Sequence, residues 1–337
     1  MKTFSHFMML LLLTVSSVFS SQSSVFYKEL NFIGGYSGEE GWMTSHDELM
    51  NSVGFEFLDK FSNEFGDYLT LDIQARLTYD FDQYNNPDDA AAFGLHNAWA
   101  DYKIGLNKTL RVGHFDPQFG LEPVLDTHAT LLQTLAMRDI GYKQDWGVGY
   151  RSGLGAVDYG TALQMGTGMG LDRDQNTCLA TFRLSNPPAG GLLYGVSFLY
   201  GLVPEMTGMT LIPAPETSEM LTRKKRIGLD VQYPAGPVNL RAEVTAGKNG
   251  DQDVIGALAD LIYVPGNMDN VELILQVSSW SEDPSVSSQA YQQAAISAQY
   301  RISSSWTIRA GLFDLFASPE EEDVQGVLQL YYFGKGS

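Results

Sequence analysis

The sequence predicts a transmembrane antiparallel up-and-down β-barrel of about sixteen strands. Three observations predict this fold class. Apolar and polar residues alternate along most of the chain, the connections between the alternating segments are short on one side and long on the other, and tyrosines collect at one end of the segments. Such a barrel carries apolar residues on a lipid-facing exterior and polar residues around a water-filled lumen.

The composition excludes several other classes of protein. The chain has 337 residues, one cysteine, 21 basic and 40 acidic residues, and a formal net charge of −19. One cysteine cannot form an internal disulfide, and no cluster of cysteine and histidine suits a structural zinc ion. The negative charge repels phosphate backbones, so nucleic acid is not an expected partner. No phosphate-binding glycine loop is present, and we expect no cofactor.

Residues 1–20 have the pattern of a secretory signal peptide. A positive start at Met1 and Lys2 precedes an unbroken apolar run from Phe7 to Leu13, and small residues end the segment at Ser20. The run is shorter than the roughly 20 residues that span a bilayer as a helix. We therefore expect cleavage after residue 20, with residues 21–337 forming the barrel. No later apolar stretch is long enough for a membrane helix, so a membrane-spanning mature chain must be a closed barrel.

The alternation has a period of two residues, which assigns successive side chains to opposite faces of a strand. Between residues 69 and 79 every odd position is apolar or aromatic, and every even position from Thr70 to Thr78 is polar. An even number of such segments suits a barrel with both termini on one side. The predicted strands cover residues 26–36, 50–58, 67–79, 93–104, 108–115, 140–151, 154–166, 177–185, 191–201, 223–233, 237–247, 253–263, 270–280, 289–301, 305–316 and 324–333.

Aromatic residues at strand ends supply an independent check on this fold. Amphipathic rings gather where the lipid-facing belt of a barrel meets water. Six of the eight even-numbered strands end their apolar set on a tyrosine or nearly so, and we expect all six rings at the short-turn, periplasmic rim. These residues are Tyr102, Tyr150, Tyr233, Tyr263, Tyr300 and Tyr332.

Residues 113–122 read Gly-His-Phe-Asp-Pro-Gln-Phe-Gly-Leu-Glu. This segment resembles the G-x-F-x-x-P-F-G-L-E stretch of the phosphate-selective porin O/P family, and residues 97–102 are similar to the strand before it. The resemblance implies a sixteen-stranded outer-membrane channel that assembles as a homotrimer. Asp116 stands where lysine is common in that family, so we carry over the channel role and leave phosphate specificity aside.

The third long connection, about residues 116–139, is extracellular if the N-terminus is periplasmic. We expect it to fold inward and narrow the lumen, with an apolar run, Leu131, Leu132, Leu135 and Met137, forming a short helix against the wall. In this inward-folded arrangement the constriction would be formed by Glu122, Asp126, Arg138 and Asp139. The alternative is a solvated external loop. The predicted pore-lining residues are Asp72, Arg76, Arg111, Arg151, Arg183, Arg226, Arg241 and Arg309.

These features predict a porin in the outer membrane of a Gram-negative bacterium, which lets ions and small hydrophilic solutes diffuse passively. Outer-membrane lipid and lipopolysaccharide are its expected surroundings. Most of the excess of acidic over basic residues falls in the predicted extracellular loops, and this negative charge favours a weak preference for cations. The alternative function is a non-conducting adhesin or structural barrel with acidic loops.

Two further patterns are weaker. Asp126 with His128, or His114 with Asp116, could pair as a general base and its orienting group, but no G-x-S-x-G nucleophile motif accompanies them, so we expect no enzyme. Asp172, Asp174 and Asn176 have the spacing of a calcium loop without its glycine and distant glutamate. A solvated loop is the alternative for this segment.

Overall fold

A computed structural model gives the fold. It describes residues 21–336 apart from 48, 65, 80, 82–90, 126–127, 129, 139, 154, 169–175, 188–190, 205–220, 282–283, 285–289 and 319–321. Residues 1–20, the predicted signal peptide, and the residues Asp126, Asp139, Asp172 and Asp174 therefore lie outside the described residues. Within the described part of the chain, no helix is long and apolar enough to cross a membrane.

Eighteen strands follow one another along the described residues. They are β1 (Ser21–Ser37), β2 (Gly41–Met43), β3 (Ser45–His46), β4 (Leu49–Asn63), β5 (Gly66–Tyr79), β6 (Ala91–Gly105), β7 (Lys108–Phe115), β8 (Asp145–Gly153), β9 (Asp158–Gln164), β10 (Cys178–Ser185), β11 (Leu193–Pro204), β12 (Leu221–Ala235), β13 (Val238–Asn249), β14 (Gln252–Tyr263), β15 (Val271–Ser281), β16 (Ala290–Arg301), β17 (Trp306–Ala317) and β18 (Asp323–Lys335). Because β2 and β3 are short strands within the first connection, sixteen strands form the wall.

The wall closes on itself. Each wall strand pairs antiparallel with its neighbour in the chain, and β1 pairs with both β4 and β18. The closing pair runs from Tyr27 opposite Lys335 to Ser37 opposite Gln325. Closure leaves no edge strand with unpaired backbone groups. The predicted sixteen-stranded all-β barrel is confirmed.

The two faces of the wall differ in chemistry as the period-two pattern predicts. Large apolar side chains such as Leu229 and Leu328 are 58% and 60% exposed on the outer face, whereas Asp230 and Gln329, one residue further on, are buried inside. The same alternation recurs around the whole wall, so the exterior is a continuous apolar belt. A soluble protein rarely exposes so large an apolar surface, and an exterior of this kind suits contact with lipid.

Individual strand ends differ from the prediction in instructive ways. The first strand begins at residue 21 rather than 26, and β8 begins at Asp145 rather than at residue 140. Residues 140–144 belong instead to the preceding connection, because Ile140 and Tyr142 are buried against the inner wall. The connection after β13 is only Gly250 and Asp251, so not every connection on the long-loop side is long.

The six tyrosines singled out from the sequence all lie in the last residues of wall strands at one rim. This short-turn rim is the end of the barrel where the chain enters β1 and leaves β18. Tyr102, Tyr233 and Tyr300 are about half exposed there. Tyr150 packs on Tyr159 with ring centroids 5.8 Å apart. The opposite end is called the long-loop rim below.

Placing a charge on the outer belt tests the assignment of faces. We expect Leu229→Arg to lower the yield of folded barrel in lipid, because a charge near the middle of a lipid-facing strand costs about 2 to 4 kcal/mol. The readout is the fraction of heat-modifiable, folded protein on a gel. The matched control is Gln232→Arg on the same strand, whose side chain lines an internal cavity. Equal losses for both variants would contradict the assignment.

Candidate functional site: a loop docked inside the barrel

The connection between β7 and β8 spans residues 116–144, and its described residues lie against the inner face of the wall. It contains two short 3₁₀ turns, Glu122–Val124 and Ala136–Arg138. Leu121, Leu131, Leu135 and Ile140 are at most 1% exposed. Burying an aliphatic side chain of this size stabilises a structure by about 1.5 to 3 kcal/mol, so the apolar residues of this loop contribute strongly to its docking. It is called the inner loop from here on.

The first part of the inner loop is fastened by its backbone to the far wall. The amide of Gln118 donates to Thr181 Oγ1 on β10 at 3.0 Å. Farther along, the amide of Gly120 donates to Ser197 Oγ on β11 at 3.0 Å. The amide of Leu121 donates to Glu243 Oε2 on β13 at 3.0 Å. These inward-facing acceptors satisfy backbone groups that would otherwise be buried without partners.

Gly120 is the residue that this path requires. Its φ of +59° lies in the left-handed region that glycine adopts without strain. A Cβ at this position would also lie within 2.3 Å of Glu243 Oε1. Its carbonyl accepts a hydrogen bond from Arg183 Nε at 3.0 Å. The segment that resembles the phosphate-selective porins is thus the anchor of the inner loop.

Two apolar clusters hold the middle of the loop, and a third contains Phe119 and Tyr142 near its ends. Leu131 and Leu132 pack with inward residues of five wall strands, and Leu135 and Ile140 pack with residues of β14 and β15. The wall members of these clusters are Ile33, Leu49, Ala295, Phe313 and Val327 for the first, and Val254, Leu258 and Trp280 for the second. In place of the predicted helix, the structure has a single 3₁₀ turn that contains Met137.

Glu122 joins three parts of the inner loop. Its carboxylate accepts a 2.7 Å hydrogen bond from Thr134 Oγ1 and forms an ion pair with Lys143, and both charged residues are about 3% exposed. Burial alone would lower the pKa of Lys143, but the charges of Glu122 and Asp116 raise it above its ordinary value. The Lys143 ammonium therefore stays charged, and the pair ties the outgoing and returning halves of the loop together.

A second ion pair links the inner loop to the first connection of the barrel. Arg138 Nη2 lies 2.8 Å from Asp47 Oδ2 and 3.0 Å from Gln293 Oε1 on β16. Burial alone would raise the pKa of Asp47, but Arg138 holds it below its ordinary value. The backbone φ of Asp47 is +45°, a rare conformation for a residue with a side chain. Arg138 thus fastens the second 3₁₀ turn to the wall.

The predicted pore-lining arginines lie on the inner face, and four of them are ion-paired. Arg76 Nη2 lies 2.5 Å from Glu29 Oε1, and Arg111 Nε lies 2.5 Å from Asp101 Oδ1. Arg183 Nη2 lies 2.5 Å from Asp230 Oδ1, and Arg241 Nη2 lies 2.8 Å from Asp260 Oδ2. Arg226 donates instead to the backbone carbonyl of Ile140, and Arg309 donates to Gln299 and Gln329. The side chain of Arg151 forms no hydrogen bond or ion pair with another described residue and lines an internal cavity of about 870 Å³.

Glycines on intervening strands make two of these pairs possible. Arg183 on β10 and Asp230 on β12 meet across β11, where a Cβ on Gly195 would lie within 2.6 Å of both. Arg76 on β5 and Glu29 on β1 meet in the same way across Gly54 of β4. The missing side chains provide the space in which charges two strands apart come into contact.

A cavity of about 280 Å³ remains between the inner loop and strands β5–β7. We call it the eyelet. The wall side contributes Asp72, Arg76 and Arg111, and the loop side contributes Asp116, Lys143 and Gln144 among other residues. Burial raises the pKa of Asp116 to about 6, against the opposing charge of Lys143. Of the residues predicted from sequence, Asp72, Arg76 and Arg111 meet here, whereas Arg183, Arg226, Arg241 and Arg309 do not.

A larger internal space of about 820 Å³ lies on the short-turn side of the inner loop. It shares His128 and Thr130 with the eyelet, so the two spaces adjoin. Arg241, Arg309 and Glu56 also line it. His128 Nε2 lies 3.4 Å from Glu56 Oε2, and His114 Nδ1 lies 2.8 Å from the His96 carbonyl oxygen. The contacts of these histidines are therefore with the wall.

Sequence reasoning missed several residues of this site. Lys143 and Gln144 fell within a predicted strand, and Asp47 and Glu243 lie far from the loop in sequence. Single charges within an otherwise apolar or small-residue stretch were the available signal. Glu122 and Arg138 are paired as described above, at opposite ends of the loop.

Comparisons with known proteins identify the fold. No protein-family model matches the chain, and no curated protein sequence matches it. Solved structures do match over almost the whole length. The anion-selective porin from Comamonas acidovorans aligns with a TM-score of 0.66 and 12% identity, covering 94% of this chain and 100% of that one.

Two further matches have the same character. Salmonella typhi OmpF, in a complex with daunomycin, aligns with a TM-score of 0.65 and 11% identity over 92% of this chain and 97% of that one. The trimer form of Vibrio cholerae OmpT aligns with a TM-score of 0.65 and 10% identity over 93% of this chain and 99% of that one. The chain therefore has the fold of the general sixteen-stranded outer-membrane porins.

Removing one partner of the buried ion pair tests the anchoring of the loop. Lys143→Met leaves Glu122 buried and unpaired, and we expect the free energy of unfolding to fall by about 3 to 5 kcal/mol. Urea unfolding in detergent, with protease sensitivity of the loop, measures the effect. The control is Lys248→Met, which removes the partner of Asp253 in an exposed pair and should cost about 0 to 1 kcal/mol. Equal losses would contradict the buried pair's role.

Proposed function

We propose that this chain is an outer-membrane porin that forms a water-filled channel for the passive diffusion of ions and small hydrophilic solutes. The observation that carries the proposal is the docking of the inner loop. It narrows the barrel without filling it, because polar spaces of about 280 Å³ and 820 Å³ remain beside and below it. A barrel with only a structural role would not need a polar space beside a loop that is held to the wall at so many points.

In this proposal the eyelet is the constriction of the channel. Glu122 and Arg138 set the position of the inner loop, and Asp72, Arg76 and Arg111 form the facing wall. Arg151, Arg183, Arg226, Arg241 and Arg309 belong to the lumen outside the eyelet. Asp126 and Asp139 remain sequence-based candidates for the constriction.

We also propose that residues 1–20 act as a cleaved signal peptide, that the short-turn rim faces the periplasm and that the long-loop rim faces the exterior. In this proposal the apolar belt contacts outer-membrane lipid. We expect the acidic residues of the long connections to face lipopolysaccharide and to raise the concentration of cations at the outer mouth.

We further propose that the protein assembles as a homotrimer. The Vibrio cholerae OmpT that shares the fold is described in a trimer form. An apolar depression of about 1000 Å³ on β15–β18 and β1 offers a contact face. Its floor includes Gly34, Ala298, Ala310 and Gly326, small residues that allow a second copy to approach closely.

The resemblance of residues 113–122 to the phosphate-selective porins supports the channel role alone. Asp116, the residue that departs from the family pattern, lines the eyelet. A carboxylate at that point opposes the binding of a phosphate. We therefore do not extend phosphate specificity to this chain.

Planar-bilayer recording of the refolded protein tests the channel. We expect stepwise current increments, and we expect deletion of residues 122–136 to raise the single-channel conductance, because the deletion removes much of the inner loop. Unchanged conductance in a folded deletion variant would contradict the constriction. A folded wild-type barrel without current would instead support a non-conducting adhesin or structural role.

The charge of the eyelet should depend on pH. Asp116, with its pKa raised to about 6, is ionised at pH 7.5 and largely neutral at pH 5. We expect the preference for cations, measured as the reversal potential across a KCl gradient, to weaken as the pH falls through 6. Lys143, Glu122 and Arg111 also face this carboxyl, and Asp72, His96 and His128 are further titratable groups that line the same cavity. In Asp116→Asn the change should be markedly smaller; an equal change in that variant would refute the assignment.

A further inference from the structure

Three basic side chains face outward at the long-loop rim, next to the apolar belt. Arg223 and Lys225 lie on β12 and Lys248 lies on β13, and all three are exposed. On β12 these positions have the parity of Ile227, an exposed apolar residue of the outer face. Among the described residues, no other basic side chain lies on the outer face at this rim. We call the three residues the outer basic patch.

The register of the sheet brings two of these bases into direct opposition. Lys225 pairs with Lys248 across the β12–β13 ladder, and both side chains leave the same face. Side chains at directly opposed positions have Cβ atoms about 4.5 to 5.5 Å apart, and like charges at such positions destabilise a sheet. Arg223 lies two positions nearer the rim on the same face, within reach of the same space. The patch therefore concentrates positive charge at one point of the outer surface.

Acidic residues balance only one of the three charges. Lys248 Nζ lies 2.8 Å from Asp253 Oδ1 on β14 and donates to the backbone carbonyl of Asp251 at 3.3 Å. The side chains of Arg223 and Lys225 form no hydrogen bond or ion pair with another described residue. An anion that binds between them would relieve the repulsion that the register of β12 and β13 imposes.

The patch lies at the level where the apolar belt ends. Lys225 and Tyr233 are eight positions apart on β12, which is about 26 Å along a strand at about 3.3 Å per residue. A strand tilt of about 35 to 45° reduces this to roughly 20 Å across the membrane, close to the height of the apolar band of such barrels (about 25 Å). Tyr200, directly opposite Lys225 on β11, is 56% exposed, and an amphipathic ring suits this boundary.

The location of the patch limits its ligand to a lipid. It lies on the outside of the wall, so a solute in the lumen does not reach it. The headgroup of a lipid whose chains pack on Phe198 and Ile227, both 47% exposed, does reach it. The contact face proposed for the trimer lies on β15–β18 and β1, which leaves β11–β13 in contact with lipid.

The charge of the patch limits the headgroup. A phosphomonoester carries about −1.5 to −2 charges at pH 7 and three acceptor oxygens, which matches the two unpaired bases. The headgroup of a zwitterionic phospholipid also brings an ammonium group, which Arg223 and Lys225 repel. Guanidinium and ammonium groups both donate to phosphate oxygens, and a guanidinium does so through two bonds at once.

We propose that Arg223, Lys225 and Lys248 form a binding site for a phosphomonoester of lipopolysaccharide. Arg223 and Lys225 supply the unpaired donors, and the apolar side chains below them contact the acyl chains. The proposal rests on the outer-membrane orientation proposed above and deepens it, because it assigns a direct contact with a lipid of the outer leaflet. This contact needs no divalent ion and is separate from the acidic residues of the long connections.

Binding of purified lipid A to the refolded barrel in detergent tests the site. Native mass spectrometry measures the apparent Kd, and a chelator is present so that divalent ions cannot bridge phosphates to acidic residues. We expect lipid A that carries both phosphomonoesters to bind the wild type about tenfold or more tightly than the same lipid after dephosphorylation. In the double variant Arg223→Gln, Lys225→Gln we expect the apparent Kd for the phosphorylated lipid to rise about tenfold or more.

The matched control is the double variant Lys103→Gln, Lys108→Gln. Both lysines are exposed at the short-turn rim, so the net charge changes equally at the opposite end of the barrel. We expect its affinity for phosphorylated lipid A to equal that of the wild type. Wild-type affinity in the variant of Arg223 and Lys225, an equal loss in the control, or equal binding of the dephosphorylated lipid would overturn the site.

Competition with inorganic phosphate separates a lipid headgroup from free phosphate. We expect inorganic phosphate at the concentration of lipid A to leave the bound lipid in place, because it lacks the acyl chains that the belt contacts. Displacement at that concentration would contradict the assignment to lipopolysaccharide.

A second measurement covers a double variant that does not fold, which its migration on a gel without heating reveals. The affinity of the wild type for phosphorylated lipid A should fall as sodium chloride is raised, because salt screens exposed charges. An affinity independent of salt would refute the site. None of these measurements needs a current. A folded wild type that binds lipid A and carries no current would overturn the channel alone, and a conducting barrel that binds no lipid A would overturn the site alone.

Discussion

The pairing of β1 with β18 is the interaction on which the rest of the structure depends. Without it the sheet would have two long edges with unpaired backbone groups, and its polar face would not enclose a lumen. With it, every side chain is assigned by the parity of its position to the exterior or to the lumen. The exterior then needs only apolar residues of any shape, since lipid adapts to them. The lumen must satisfy polar groups and hold the inner loop, so the interior carries the more demanding constraints.

The interior meets those constraints by pairing charges rather than by excluding them. An isolated buried charge costs several kcal/mol, and a partner with good geometry offsets most of that cost. Four wall arginines each face an acid on a nearby strand, and two of those contacts cross a glycine on the strand between them. The wall is therefore locally neutral over much of its surface.

The inner loop is a second structural layer in this barrel. Its apolar residues form small cores with inward side chains, its backbone amides bind wall acceptors, and its two ion pairs fix the returning half. These three kinds of contact act at different points around the wall. The space that remains beside the loop is consequently lined by side chains on a backbone held at many points, which is what the proposed selection of solutes by charge and size requires.

The sequence by itself determined the wall and its two faces, because the period of a strand is local and each segment such as residues 69–79 carries its own pattern. It also located the inner loop and its candidate residues Glu122 and Arg138, since a long connection containing charges and leucines is visible without any knowledge of contacts. Only the tertiary structure decided the partners. Glu122 meets Lys143 within a loop that doubles back, Leu121 meets Glu243 from a strand more than a hundred residues away, and Arg138 meets Asp47 from the first connection. Such contacts depend on the curvature of the closed wall and on the path of the loop across it, and neither is encoded in any single stretch of the chain.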